Sequence, residues 1–154
     1  MDSSKPTCRQ NRCCKNGSDH RFRFLAHHAV AQGWAESAAQ IEADLWEREK
    51  QYSTGFENQI AIPHAKTANV SRAGVIFIRL QQPIPWESLD GQPVQIIFGL
   101  LVPESGAQFL HLKIINSLAS QIVEDEFRAY LFAANDEDEL FHFMQSRIEI
   151  KEQI

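Results

Sequence analysis

Two nearly continuous apolar runs, Gly74 to Leu80 and Val94 to Val102, constrain the fold more than any other feature of this sequence. A strand with one face in water alternates apolar and polar residues, whereas a strand covered on both faces is apolar throughout. The two runs therefore predict central strands of a sheet with helices packed against it. The turn-forming pair Asp90-Gly91 lies between them and predicts a connection with a small extended piece at 84–86.

Segments with helical spacing precede and follow these strands. A first helix is expected over about 18–32, and Ser37 followed by Gln40 is a capping-box pattern that starts a second helix ending near Lys50. Phe109 begins another helical pattern, which is followed by a short helix at 127–132 and by a last helix capped by Asn135 or Asp136.

A short apolar piece, Ile60 to Ile62, follows the polar segment 51–59 and predicts one more strand. This strand should stop at Pro63, because proline cannot donate to a sheet ladder, and His64 should lie just beyond its end. The order of elements predicts an α/β fold, with a mixed β-sheet flanked by helices on both sides.

Length and composition favour one domain. The 154 residues suit a single core, and we expect a poorly ordered basic lead-in over 1–17 followed by the domain proper over 18–154. No apolar run is long enough to span a bilayer, and no secretory signal is evident, so a cytoplasmic location is expected.

The three cysteines all lie within the first fourteen residues, which favours reduced thiols over a disulfide framework. Their spacing to the nearby histidines matches no usual zinc pattern, so no metal site is expected.

Charge is split along the chain. Residues 1–28 hold six basic and two acidic side chains, a net charge of +4, which leaves −9 for the remainder of a chain whose total is −5. A basic arm can attract nucleic acid or anionic lipid, and that binding would depend strongly on salt. We favour a solvated tail and expect no nucleic-acid partner, since no aromatic stacking platform accompanies the basic residues.

Pro63-His64 is the most informative dipeptide for chemistry. A histidine directly after a proline at a strand end is expected to be accessible, and a neutral imidazole is a good nucleophile that can take a phosphoryl group without a separate base. The alternative is that His64 only caps a loop. His111, near the start of a helix, is placed to point at the same site, although by itself such a histidine is more often a polar surface residue.

The sequence resembles a known family through Arg48-Glu49, Ser53-Thr54-Gly55 and the run Ile60-Ala61-Ile62-Pro63-His64-Ala65. These match the signature of phosphotransferase-system (PTS) enzyme IIA domains of the fructose, mannitol and nitrogen-regulatory (type 2) class. The resemblance continues through Gly74 to Phe77, Asp90 to Val94, the strand that ends at Pro103, and His111-Leu112, so it covers about residues 34 to 145.

What the resemblance implies is a phosphotransferase with a phosphohistidine intermediate. The histidine-containing phosphocarrier protein would donate to His64, and His64 would donate to a cysteine of a IIB component. A membrane IIC component would then couple the transfer to uptake of a sugar of the fructose or mannitol class. The alternative within the family is a nitrogen-regulatory phosphoprotein that controls its targets by its phosphorylation state. No cofactor is implied.

The resemblance also assigns roles around His64. Arg48 would pair with the phosphoryl oxygens, while His111 and Thr54 would donate hydrogen bonds to them. Without the family, Arg48 would be a cation that complements a helix C-terminus, and Thr54 a loop hydroxyl. The sequence departs from the family at Glu57 and Gln59, where members often have glycine, so the shape of this loop is open.

Overall fold

A computed structural model describes residues 2–4, 21–104 and 109–148 of the chain. Its centre is one five-stranded mixed sheet formed by β1 (Asp2–Ser4), β2 (Ile60–Ala61), β3 (His64–Thr67), β4 (Gly74–Ile84) and β5 (Val94–Pro103). β4 and β5 run antiparallel, with Phe77 opposite Phe98. β1 pairs in parallel with the edge of β4 that faces away from β5. β2 and β3 follow one another along the free edge of β5, both parallel to it.

Within the described part of the chain, five helices cover the sheet: α1 (Arg21–Ala31), α2 (Ala38–Gln51), α3 (Leu110–Ile122), α4 (Asp125–Ala133) and α5 (Glu137–Arg147). The side chains of β4 alternate between two cores. Ile76 and Ile78 pack with α1 and α2 on one face, whereas Val75 and Phe77 pack with α3, α4 and α5 on the other. The prediction of an α/β fold with helices on both sides of a mixed sheet is confirmed.

Local sequence signals set the helix boundaries. Ser37 caps α2 by accepting a hydrogen bond from the Gln40 backbone N–H at 3.2 Å, as its capping pattern predicts. Asp136, one of the two predicted caps for the last helix, accepts from the N–H groups of Asp138 and Glu139. After α1 the chain turns at Gly33, whose φ of +73° is a left-handed conformation that glycine adopts without strain.

The strand expected at 60–62 is β2, which ends before Pro63, and His64 lies just beyond its end as predicted. His64 is also the first residue of a further strand, β3, because the edge of β5 continues to pair after the proline and the Leu100 N–H donates to the Pro63 carbonyl at 2.9 Å. One expectation about strands needs correction, since the extended piece expected at 84–86 is not separate. Ile84 is the last residue of β4 and pairs with Val94 after a register shift in the ladder.

The expected lead-in, residues 1–17, lies outside the described residues apart from Asp2–Ser4, which form β1. The first three residues of the expected first helix, 18–20, also lie outside them, as do all three cysteines. Among residues 2–4, 21–104 and 109–148, none of the helices combines the length and apolar character that crossing a membrane requires.

Candidate functional site

Three of the four residues predicted for the site meet in one cleft of about 360 Å³. Arg48 reaches it from the last turn of α2, His64 from the start of β3, and His111 from the first turn of α3. The fold thus brings together residues that are up to 63 positions apart in sequence. The remaining residues that line the cleft are Asp44, Glu47, Gln51, Ala65 and Lys66.

Hydrogen bonds fix both nitrogens of the half-buried His64 ring. Nδ1 lies 3.0 Å from the carbonyl oxygen of Ile62, two residues earlier, and Nε2 lies 3.0 Å from Nε of Arg48. A carbonyl can only accept a hydrogen bond, and an arginine nitrogen can only donate one. The two contacts therefore assign the neutral tautomer, with the proton on Nδ1 and the lone pair on Nε2.

The surroundings of His64 favour its neutral form. Burial lowers the pKa of His64 from its ordinary value of 6.5, and the positive charge of Arg48 lowers it further. The Ile62 carbonyl and the Glu49 carboxylate act in the opposite direction, but they do not reverse the shift. The imidazole is therefore uncharged at neutral pH, which is the form that can act as a nucleophile.

His111 stacks beside His64. Their ring centroids are 6.3 Å apart and the ring planes differ by 29°. Burial lowers the pKa of His111 as well, and the positive charges around it, that of Lys66 first, lower it further. Nδ1 of His111 is buried and makes no hydrogen bond within the described part of the chain.

Lys66 is a member of the cleft that the sequence argument did not include. Residues two apart on a strand project to the same face, so Lys66 lies on the His64 side of β3 and lines the same cleft. Its charge acts on His111, as the lowered pKa of that residue shows. This alternation could have identified Lys66 from sequence only if His64 had been recognised as the beginning of a strand.

Thr54, the fourth predicted residue, does not line the cleft. It is buried, and its hydroxyl donates a hydrogen bond to the carboxylate of Glu49. Gly55, which follows it in the Ser-Thr-Gly motif, has no room for a side chain, because a Cβ there would collide with the Glu87 backbone. The motif therefore lies in a closely packed bend between α2 and β2, and its contact with a phosphoryl group stays a prediction.

The loop where this sequence departs from the family has an unusual backbone. Asn58 and Gln59 have φ values of +59° and +68°, a left-handed conformation in which glycine is favoured. Gln59, directly before Ile60, is not a glycine and therefore adopts this conformation at a cost in backbone strain. Glu57 is exposed to solvent, as expected for an unpaired carboxylate.

The fold is that of a known family. The chain belongs to the EIIA type 2 family of the phosphoenolpyruvate-dependent sugar phosphotransferase system, whose family model matches residues 15–147. It is 38% identical over 112 residues to the PTS fructose-like EIIA component of Escherichia coli K12, an alignment that covers 73% of this chain and 75% of the relative.

Solved structures agree with this assignment. The nitrogen regulatory protein IIA-Ntr of Neisseria meningitidis superposes with a TM-score of 0.72 at 31% identity, covering 80% of this chain and 86% of that one. IIA-mannitol of E. coli, in its complex with phosphorylated IIB-mannitol, superposes with a TM-score of 0.68 over 92% of each chain. At 18% identity, the second likeness shows the fold alone.

The chain also matches much longer proteins. It is 29% identical over 133 residues to multiphosphoryl transfer protein 1 of E. coli K12, of which it spans 16%. The match covers 86% of this chain, so the region shared with that relative is the domain described above.

Proposed function

We propose that this chain is a phosphocarrier, a IIA component that accepts a phosphoryl group on Nε2 of His64. The observation that carries the proposal is the fixed imidazole: Nδ1 is tied to the Ile62 carbonyl, and Nε2 presents its lone pair to Arg48 at the edge of an open cleft. A neutral ring in one tautomer needs no base to become a nucleophile. The family supports phosphotransfer in general.

The proposed transfer consists of two displacements. Nε2 attacks the phosphorus of a phosphohistidine on the histidine-containing phosphocarrier protein, so that a new N–P bond forms while the donor imidazole leaves with the electron pair of the old one. A cysteine thiolate of a IIB component then attacks the same phosphorus, and the imidazole of His64 leaves. The Nδ1–H···O=C bond to Ile62 stabilises the positive charge on the phosphorylated ring and thereby keeps it a good leaving group.

Arg48 has to give up its hydrogen bond to Nε2 before that lone pair can attack. Its guanidinium lies 3.0 Å from the reacting nitrogen through Nε, so it is then within reach of the oxygens on the incoming phosphorus. A second hydrogen bond, from Nη1 to the Tyr52 carbonyl at 2.9 Å, holds the side chain at the cleft during this change. We assign Arg48 to stabilising the charge on the transferred group.

We assign His111 as the second hydrogen-bond donor to the phosphoryl group. It lies in the first turn of α3, where backbone N–H groups lack partners within the helix and the dipole favours an anion. Its ring is stacked beside that of His64, with the centroids 6.3 Å apart, and among the described residues its Nδ1 has no hydrogen-bond partner. For Thr54, donation to the phosphoryl group would require its hydroxyl to leave Glu49.

The direct test is phosphorylation of the purified chain by phosphoenolpyruvate and the general phosphotransferase components. We expect acid-labile label on the wild type and none on His64→Ala. A wild-type chain that takes no label, or a His64→Ala variant that takes as much, would overturn the proposal. Adding a IIB domain of the fructose class should then remove the label.

A regulatory role is the second candidate, favoured by the 31% identity to IIA-Ntr. It shares the phosphorylated histidine but predicts that label stays on the chain when IIB domains are added. Transport predicts release to IIB and, through a membrane IIC component, phosphorylation of a sugar of the fructose or mannitol class. In either role we propose that the chain acts in the cytoplasm, as a protein of the phosphotransferase relay without nucleic-acid partners.

A further inference from the structure

Glu49 is the centre of a hydrogen-bond network around the segment that follows α2. It follows Arg48 on α2, and its carboxylate accepts bonds from the Thr54 N–H at 3.0 and 3.1 Å and from the Trp86 indole at 2.9 Å. The Thr54 hydroxyl donates to the same carboxylate, and the Ser53 hydroxyl lies 3.1 Å from it while also contacting the Glu87 carbonyl. A single side chain thus fixes the turn that follows the helix.

That turn is linked directly to His64 through the backbone. The Thr54 carbonyl accepts a hydrogen bond from the Ile62 N–H at 2.9 Å, and the Ile62 carbonyl is the acceptor for Nδ1 of His64 at 3.0 Å. Displacing Thr54 would therefore displace the peptide that selects the tautomer of the ring. The path from the Glu49 carboxylate to the imidazole contains only three hydrogen bonds.

Arg48 is attached to the same turn. Its Nη1 donates to the Tyr52 carbonyl at 2.9 Å, while its Nε donates to Nε2 of His64. Both ring nitrogens consequently depend on the turn at 52–54, one through Ile62 and the other through Arg48. Adjacent residues on a helix point about 100° apart, which lets Arg48 face the cleft while Glu49 holds the turn beneath it.

We propose that Glu49 is a positioning residue for phosphoryl transfer, which holds the 52–54 turn so that His64 keeps its proton on Nδ1 and its lone pair on Nε2. The consequence for transfer rests on the function proposed above, whereas the tautomer is a property of the free chain. The negative charge of Glu49 also acts on the ring, since it raises the pKa of His64 against the lowering by burial and Arg48.

The test is Glu49→Gln in the full chain, because an amide replaces one acceptor oxygen by a donor that faces the Thr54 N–H and O–H. Long-range ¹H–¹⁵N spectra of the histidine rings report the tautomer without any phosphorylation. We expect wild type to show His64 with its proton on Nδ1 and Glu49→Gln to show a mixture of tautomers with a lowered pKa. Glu42→Gln removes the same charge from the same helix and should match wild type.

A second variant keeps the test decisive if Glu49→Gln does not fold. Thr54→Val retains the backbone N–H and the side-chain shape but removes the hydroxyl that donates to Glu49, so we expect a smaller shift toward the other tautomer. A His64 that keeps its proton on Nδ1 alone in a folded Glu49→Gln variant would overturn the inference. If Glu49→Gln gives no folded protein, an unchanged tautomer of His64 in Thr54→Val would overturn the inference instead.

Transfer kinetics provide the separate readout. We expect Glu49→Gln to accept the phosphoryl group about tenfold to a hundredfold more slowly, with the loss in kcat rather than in KM for the donor protein, because misplacement of a reacting atom acts on the chemical step. A loss confined to KM would overturn the positioning role. A wild-type chain that takes no label would overturn the proposed function and, with it, the expected change in transfer rate. The tautomer measurement would still test separately whether Glu49 positions His64.

Discussion

Replacing Arg48 by glutamine removes the charge closest to the reacting nitrogen while retaining a polar side chain that donates hydrogen bonds. The guanidinium lies 3.0 Å from Nε2 of His64, so a phosphoryl oxygen on that nitrogen would lie within about 4 Å of it. Two unit charges at that separation near a protein surface interact by about 4 kcal/mol. Because glutamine still donates one hydrogen bond, we expect a loss of about 3 to 4 kcal/mol, which slows transfer about 10²- to 10³-fold.

The assay is the initial rate of label incorporation from a phosphorylated donor protein. Arg23→Gln is the matched control, since Arg23 is an exposed arginine on α1 outside the cleft, and it should behave as wild type. Arg48→Gln should also raise the pKa of His64, because the charge of Arg48 lowers it. A raised pKa with an unchanged transfer rate would refute the assignment of Arg48 to charge stabilisation.

Four further predictions concern the site and the loops that support it. His111→Ala should slow transfer but leave His64 able to accept label; a wild-type rate at every pH would remove His111 from the mechanism. The rate in wild type should fall as the pH falls, with a midpoint below 6.5, because burial lowers the pKa of His64 and protonation of Nε2 occupies its lone pair; a midpoint at or above 6.5 in the pH profile would contradict this. Gln59→Gly should raise the free energy of unfolding by about 1 kcal/mol in urea titrations, since φ is +68° there, and a loss of stability would show that the strain argument is wrong. Gly99→Ala should lower it by about 1 to 3 kcal/mol, because the added methyl would meet the side chain of Leu25, and an unchanged midpoint would show that the core repacks at no cost.

The architecture was predictable because its signals are local. Continuous apolar runs identified β4 and β5, and the caps at Ser37 and Asp136 set helix starts that the structure confirms. The position of His64 was predicted less well, since its place in β3 depends on pairing with Leu100. Pairing across 36 residues of sequence leaves no local pattern, so the sequence indicated the end of β2 before Pro63 but not the start of β3 at His64.

The residues of the candidate site also differ in whether the sequence alone could identify them. Arg48, His64 and His111 could be named from the resemblance and they share one cleft, whereas Lys66 and Glu49 needed the structure. A glutamate near a helix C-terminus is ordinarily a solvated residue, and its interaction with Trp86, 37 positions away, cannot be inferred from spacing. For Thr54 the sequence motif was recognised, but its hydroxyl donates to Glu49, a partner that the sequence did not indicate.

One particular nitrogen, Nε2 of His64, is proposed to receive the phosphoryl group. The most direct measurement is a ¹⁵N–³¹P coupling spectrum of the phosphorylated, ¹⁵N-histidine-labelled chain. The hydrogen bonds at His64 predict coupling of phosphorus to Nε2 of that ring, with the Nδ1 proton retained. Coupling to Nδ1, or to a nitrogen of any other histidine, would contradict the account.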